Sequence, residues 1–186
     1  MPEDREAPFA SAAQMESRTS GVISKDHPFL EDELQAATGA IRDYCGWHIA
    51  PPREVTYRRA GATPDDVYLP AMQIDSIVGV KVDGVDWPAA RVAAAEFDPL
   101  TGWTNIYARR VEVRYVAGLD DVPAPLVTLT LQVAARGLGA PLGLVRDHAG
   151  TVSVTHSQVA SGVAGGTVLL AHEQTQLATY RIGSLA

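Results

Sequence analysis

At 186 residues, with 46% hydrophobic and 20% charged side chains, the chain is long enough for one substantial core, or a core with a satellite, and its composition excludes global disorder. No apolar run nears the roughly 20 residues of a membrane helix, and the N-terminus PEDREAP has the wrong charge and no apolar core for a signal peptide, so a soluble protein without an export address is expected. The net charge of −7 sits mainly at one end: residues 1–50 hold nine acidic and four basic side chains, residues 51–118 nine and eight, and residues 119–186 four and three, which argues against a general nucleic-acid binder.

Residues 1–24 show no sustained period and read as a flexible N-terminal arm, with Phe9, Met15, Val22 and Ile23 as its apolar points. The stretch 28–47, PFLEDELQAATGAIRDYCGW, changes character. Leu30, Leu34, Ala37, Ile41 and Tyr44 or Cys45 recur at steps of three and four, with Glu31, Asp32, Glu33, Gln35, Arg42 and Asp43 on the other side. This predicts an amphipathic helix with Asp26 as its N-cap, an acidic first turn suited to the helix dipole, and Gly46 as its stop. Cys45, the single cysteine, excludes an internal disulfide and reads as a buried small hydrophobe.

After Ile49, Pro51 and Pro52 the period falls to two. Val55 and Tyr57 alternate with Glu54, Thr56 and Arg58; Val67 and Leu69 form a short run; Val78, Val80 and Val82 alternate with Gly79 and Lys81. Asp83-Gly84 predicts a tight hairpin returning through Val85 and Trp87, with Pro88 ending the return. Residues 91–95 and 105–116 continue the strand reading, the latter with Tyr107, Val111, Val113 and Tyr115 on one face and Arg110, Glu112 and Arg114 on the other. Residues 53–117 are therefore expected to form an inserted, mostly antiparallel β-rich domain.

Pro123 and Pro125 open a second helix, PLVTLTLQVAARGL, closed by Gly137 and Gly139. Its threonines and valine are weak helix formers, so its apolar breadth predicts burial on more than one side. Residues 137–166 read as a glycine-rich loop holding one alternating run at Val152 and Val154, a hairpin or an extended loop. A third helix is expected over 168–181, with Leu169 or Leu170, Glu173, Leu177 and Tyr180 on one stripe and Thr167 as cap. The expected fold class is α+β: a small helical bundle of about three main helices, from 25–52 and 118–186, with the β-rich insertion between the first two.

Chemistry-bearing patterns are sparse. His27, His48, His148, His156 and His172 are scattered without metal-ligand spacing, and GVAGGT at 162–167 lacks the lysine of a phosphate loop. A small hydrolase or metal-binding reading would centre on His148 and His156, with Asp147, Ser153 and Ser157, but no GxSxG supports it. No enzyme activity, cofactor or metal is expected. The basic pairs Arg58/Arg59 and Arg109/Arg110 stand out instead, either as solvated strand edges or as a patch opposing the acidic first helix of another copy. Trp87, Trp103, Tyr107 and Tyr115 are candidate anchors, with Trp47 and Trp87 expected inside and Trp103 available to a partner.

LEDELQAATGAIRDYCGWHI at 30–49, IDSIVGVKVDG at 74–84, VEVRYVAGLDDVPAPL at 111–126 and a late helix ending LATYR at 177–181 together resemble the head-to-tail connector, or adaptor, proteins of long-tailed bacteriophages and related gene-transfer particles. The resemblance spans about residues 28–181. It implies a small helical core with a β-rich insertion, a homo-oligomeric ring commonly of twelve copies beneath the portal protein, a head-closure or tail protein on the other face, and DNA passing through the lumen without sequence-specific binding. It implies a place in the virion at the head–tail junction, and in the host cytoplasm before assembly, with no membrane partner. A head-closure or minor tail protein of the same particle is the neighbouring alternative. The C-terminal segment that reaches toward the portal in this family maps to residues 181–186, where Arg181 is the one charged side chain. The interface candidates are thus Glu31, Asp32, Arg58, Arg59, Trp103, Arg109, Arg110 and Arg181.

Overall fold

The computed structural model describes residues 6–139, 146–149, 152–155 and 166–183. Among them are five α-helices, α1 (Ala12–Arg18), α2 (Leu30–Cys45), α3 (Ala89–Ala93), α4 (Ala124–Gly139) and α5 (Ala171–Leu177), and six strands, β1 (Arg53–Tyr68), β2 (Ile74–Val82), β3 (Val85–Asp86), β4 (Trp103–Ala117), β5 (Arg146–Ala149) and β6 (Val152–Thr155). The chain is mixed α+β, with a four-stranded antiparallel sheet in the order β1-β4-β2-β3. It divides into two compact units, one made of Met1–Tyr44 and Pro123–Ala178, the other of Cys45–Val122 and Thr179–Ala186.

In the first, helical unit the expected stripes are buried: Leu30, Leu34, Ala37 and Ile41 on α2, Leu126, Leu129, Val133 and Ala134 on α4, and Leu177 on α5. Helix α2 opens differently from the expectation. His27, not Asp26, closes its entry, its carbonyl accepting from Leu30 N–H and its Nδ1 from Phe29 N–H. The acidic run Glu31 to Glu33 does occupy the first turn. Where α2 approaches α4, the carboxylate of Glu33 lies against Gly137, so a β-carbon there would require the Glu33 side chain to shift.

The arm expected over 1–24 holds structure. Ser11 and Gln14 form a reciprocal capping box at the start of α1, and Met15 is buried. Ahead of it, Phe9 is buried, its N–H donates to the Thr38 hydroxyl, and Arg42 stands 4.6 Å over its ring while pairing with Glu6. A period needs more residues than seven to show, so capping was the only local signal for this helix.

The late helix is shorter than expected, Ala171–Leu177 followed by a 3-10 turn, Ala178–Tyr180. Thr167 does not cap it; Glu173 does, accepting from Leu170 N–H. Within the expected glycine-rich loop, β5 and β6 pair antiparallel, with His148 opposite Ser153. His156, Ser157 and most of the 161–166 run lie outside the described residues.

In the second unit, β4 is central, flanked by β1 and β2. Asp83 and Gly84, with φ of 50° and 86°, form the two-residue turn that closes Val82 onto Val85, as their sequence predicts. Residues 91–95 do not form a strand: α3 (Ala89–Ala93) follows Pro88, as three alanines in five residues favour. The expected separate strands near 55 and 67 are one long strand, β1, with a register jump from Ala60↔Arg110 to Asp65↔Ala108. Four residues of β1 thus stand against Arg109 alone, and the buried face of β4 changes parity there. Ile106 and Ala108 are buried on one side of the jump, Val111, Val113 and Tyr115 on the other, and Tyr107, expected inward, is 66% exposed.

The C-terminal residues belong to this unit. Ile182 N–H donates to the Cys45 carbonyl, the Trp47 indole N–H to the Tyr180 carbonyl at 2.7 Å, and the His48 Nε2–H to the Ala117 carbonyl at 2.7 Å. Burial pushes the Cys45 thiol up to about 11, against the opposing positive charge of Arg181, so it stays protonated at neutral pH.

Candidate interface on the exposed face of the sheet

The strands alternate, and their register decides which side chains share the exposed face. Arg58, Glu112 and Lys81 stand in one row across β1, β4 and β2; Thr56, Arg114 and Gly79 form the next; Ala60 and Arg110 form the row on the other side, where the Arg110 carbonyl accepts from Asp83 N–H at the hairpin turn. The Arg114 guanidinium lies over Gly79, where a β-carbon would stand 2.8 Å from Nη2 and the exposed arginine would have to swing aside.

These rows border a trough of about 490 Å³, whose lining carries four cations, Arg58, Arg59, Lys81 and Arg110, against two acids, Asp83 and Glu112. A neighbouring groove of about 410 Å³ runs between β2 and α3, shares Lys81 and Glu112, and adds Val78, Trp87 and Arg114. The two form one continuous surface.

The pairs within it are solvent-facing. Arg58 Nε donates to Glu112 Oε2 at 2.7 Å, Arg114 Nη1 reaches Glu54 Oε1 at 3.4 Å, and Lys81 Nζ stands 3.5 Å from Asp86 Oδ1. Such pairs, screened by solvent, contribute little to stability and are readily exchanged for a partner's charges. The Arg58 hydrogen bond holds the Glu112 carboxyl below its ordinary value, against the upward effect of desolvation and with help from the charges of Arg58, Lys81 and Arg114. Glu112 is therefore ionised at neutral pH and orders the surrounding cations. Arg91 stacks 3.8 Å above the Trp87 ring, so Trp87, expected inside, is half-buried with a cation on its face.

The sequence-predicted interface residues separate into groups. Arg58 and Arg110 meet on the trough. Arg59 turns to the other face of β1, where its guanidinium donates to the carbonyls of Asp65, Asp66 and Ala108 across the register jump. It is therefore a structural clasp, although its stem borders the trough. Arg109 is exposed opposite the jump, and neither Arg109 nor Arg110 makes an ion pair among the described residues. Trp103, expected to face a partner, is half-buried at the start of β4, its carbonyl accepting from Asp98 N–H. Asp98 organises that turn by accepting from Leu100 and Thr101 N–H, bonds that hold its carboxyl below the usual range. Arg181 is exposed beside a separate groove of about 320 Å³ that includes Tyr68, Leu69 and Leu100. Glu31 and Asp32 are exposed on α2 in the helical unit. Lys81 escaped the sequence reading as an interface residue; its signal was its place opposite a strand cation row, next to the Asp83-Gly84 turn.

Among the described residues, no group of three histidine, cysteine, aspartate or glutamate side chains is placed to hold a metal, and no helix is long and apolar enough to cross a membrane. Compared with known proteins, the chain matches no family model and no curated protein.

Proposed function

We propose that this chain is a structural joining subunit, a head-to-tail connector of a bacteriophage or gene-transfer particle. It assembles as a ring, commonly twelve-membered, between the portal protein and a head-closure or tail protein, and lets DNA pass through its lumen. In this reading α2, α4 and α5 form the helical core of each subunit, and the strand-bearing unit is an insertion between α2 and α4. The protein works at the head–tail junction of the virion after a period in the host cytoplasm.

The observation that carries the reading is the division of the chain. The segment Cys45–Val122 forms a unit together with Thr179–Ala186, while the segments on either side of it, Met1–Tyr44 and Pro123–Ala178, belong together. A strand-bearing segment set between two helical ones supports the layout that the connector resemblance implies. A charged sheet face without deep enclosure suits a surface for docking better than a pocket for turnover. A ring multiplies individually weak contacts to an axial partner through effective concentration.

The test is assembly. Purified protein, alone and mixed with its portal, is imaged by negative-stain electron microscopy, and rings that cap the portal are expected. Monomers in every mixture would overturn the proposal. Rings that bind a tail or head-closure protein but never the portal would move the chain to the neighbouring position in the same particle.

A further inference from the structure

We infer that the trough on the exposed sheet face receives the entry of helix α2 from a second copy of this chain, with Phe29 seated among the apolar groups and Glu31 and Asp32 among the cations. This contact rests on the ring reading and gives it a specific surface.

Charge is the first argument. With the Arg59 guanidinium turned to the other face, the trough keeps Arg58, Lys81 and Arg110 against Asp83 and Glu112, a surplus of one positive charge in a chain of net −7, and Arg110 makes no ion pair among the described residues. Residues 26–33 carry four carboxylates, Asp26, Glu31, Asp32 and Glu33, and no lysine or arginine. Glu31 and Asp32 are exposed, and Glu33 is half-buried against Gly137. The second argument is apolar. Phe29 is 63% exposed, held edge-on to His27 with ring centroids 6.0 Å apart, one of few large side chains left in water among the described residues. On the sheet, Val78 at 42% and Val85 at 69% exposure are its counterparts, Val78 lining the groove that continues the trough. An aromatic residue two positions before a pair of acids thus faces a surface with apolar groups beside a row of cations. Interfaces draw most of their affinity from such a desolvated aromatic with polar groups around it.

The two patches are made of different residues, one set in each unit, so a contact between copies is heterologous: each copy gives one patch and receives the other. That is the arrangement a closed ring requires. The acidic patch alone would make copies repel, and the trough alone would have nothing of the same chain to bind.

A charge exchange tests the pairing. Four proteins are compared by analytical ultracentrifugation and electron microscopy, with and without portal: the native chain, R58E/R110E, E31K/D32K, and the chain carrying all four substitutions. Thermal unfolding checks that each one folds, and R58Q/R110Q with Phe29→Ser replaces any variant that does not. Each double variant is expected to weaken ring assembly by about tenfold or more at 0.1 M salt, and the fourfold variant to recover most of it. Double variants that assemble as well as the native chain overturn the contact and leave the ring reading standing. Loss in both double variants without recovery in the fourfold one also overturns the pairing. A native chain that forms no rings under any condition removes the ring reading and this contact together.

Discussion

The most exacting single contact joins α4 to α5. Arg136 donates to both carboxylate oxygens of Glu173, at 2.7 and 3.1 Å, and to the Val168 and Gly166 carbonyls, while Glu173 is almost fully buried. Two charges taken from water survive only because each is bonded by the other and by backbone. Arg136→Met, which strands the carboxylate, is expected to cost about 3–5 kcal/mol in urea unfolding. Burial pushes the Glu173 carboxyl upward, but the Arg136 hydrogen bond, the Leu170 N–H and nearby positive charge outweigh it, so its pKa lies below the ordinary 4.5. A lowered folded-state pKa contributes stability that is whole above about pH 4.5 and drains as the pH falls through the folded value. Glu173→Gln should therefore flatten the acid limb of the stability profile, measured by unfolding between pH 3 and 6. The sequence placed Glu173 on the packed stripe of the late helix without showing why a carboxylate belonged there. Its partner lies 37 positions away, beyond the reach of any local pattern.

Among elements, the strand-bearing unit separates what neighbouring residues dictate from what distant ones impose. The hairpin at Asp83-Gly84 was plain in the sequence because a two-residue turn carries its own left-handed requirement. Gly102 has the same kind of backbone, φ 73°, but its missing side chain also makes way for the Leu69 carbonyl. Gly84→Ala, with open space around it, should cost about 1–2 kcal/mol for the backbone alone. Gly102→Ala should cost at least about 3 kcal/mol, since the backbone of Leu69 must move as well. Side-by-side thermal unfolding of the two variants measures the difference. The register jump in β1 was hidden for a different reason: the surplus residues are on β1, while their effect, the outward turn of Tyr107, is on β4. Arg59 holds the jump closed, so Arg59→Ala is expected to lose about 2–3 kcal/mol and Arg59→Lys to recover little, because an ammonium cannot fork to three carbonyls. The same substitutions read by chemical denaturation distinguish this clasp from Arg110, whose replacement by alanine should leave stability within about 0.5 kcal/mol. Reading Arg58/Arg59 and Arg109/Arg110 as two equivalent pairs missed the alternation that sends neighbours to opposite faces. Once strand pairing is known, half of each pair remains on the trough.

For the molecule as a whole, the charge asymmetry visible in the composition becomes a pair of surfaces, an acidic helix entry and a cation-bearing sheet face. Attraction between exposed charges is screened over roughly 8–10 Å at ordinary ionic strength. The proposed contact between copies should therefore weaken about tenfold or more between 0.05 and 0.5 M salt in sedimentation velocity runs, while the unfolding temperature, set by buried contacts, changes little. The order of helices and strands was largely readable from their periods, but no local pattern carried the return of Tyr180 to Trp47, 133 positions away, or of Ile182 to Cys45. That return constrains the order of events at the ribosome. Cys45 and Trp47 wait for Tyr180 and Ile182, so at roughly 5–20 residues per second the sheet stands for several seconds after β4 is made without these two bonds beside it. The strand-bearing unit thus takes its finished form only after the polypeptide has run on through α4 and α5 and delivered residues 180–182 to the segment that precedes β1.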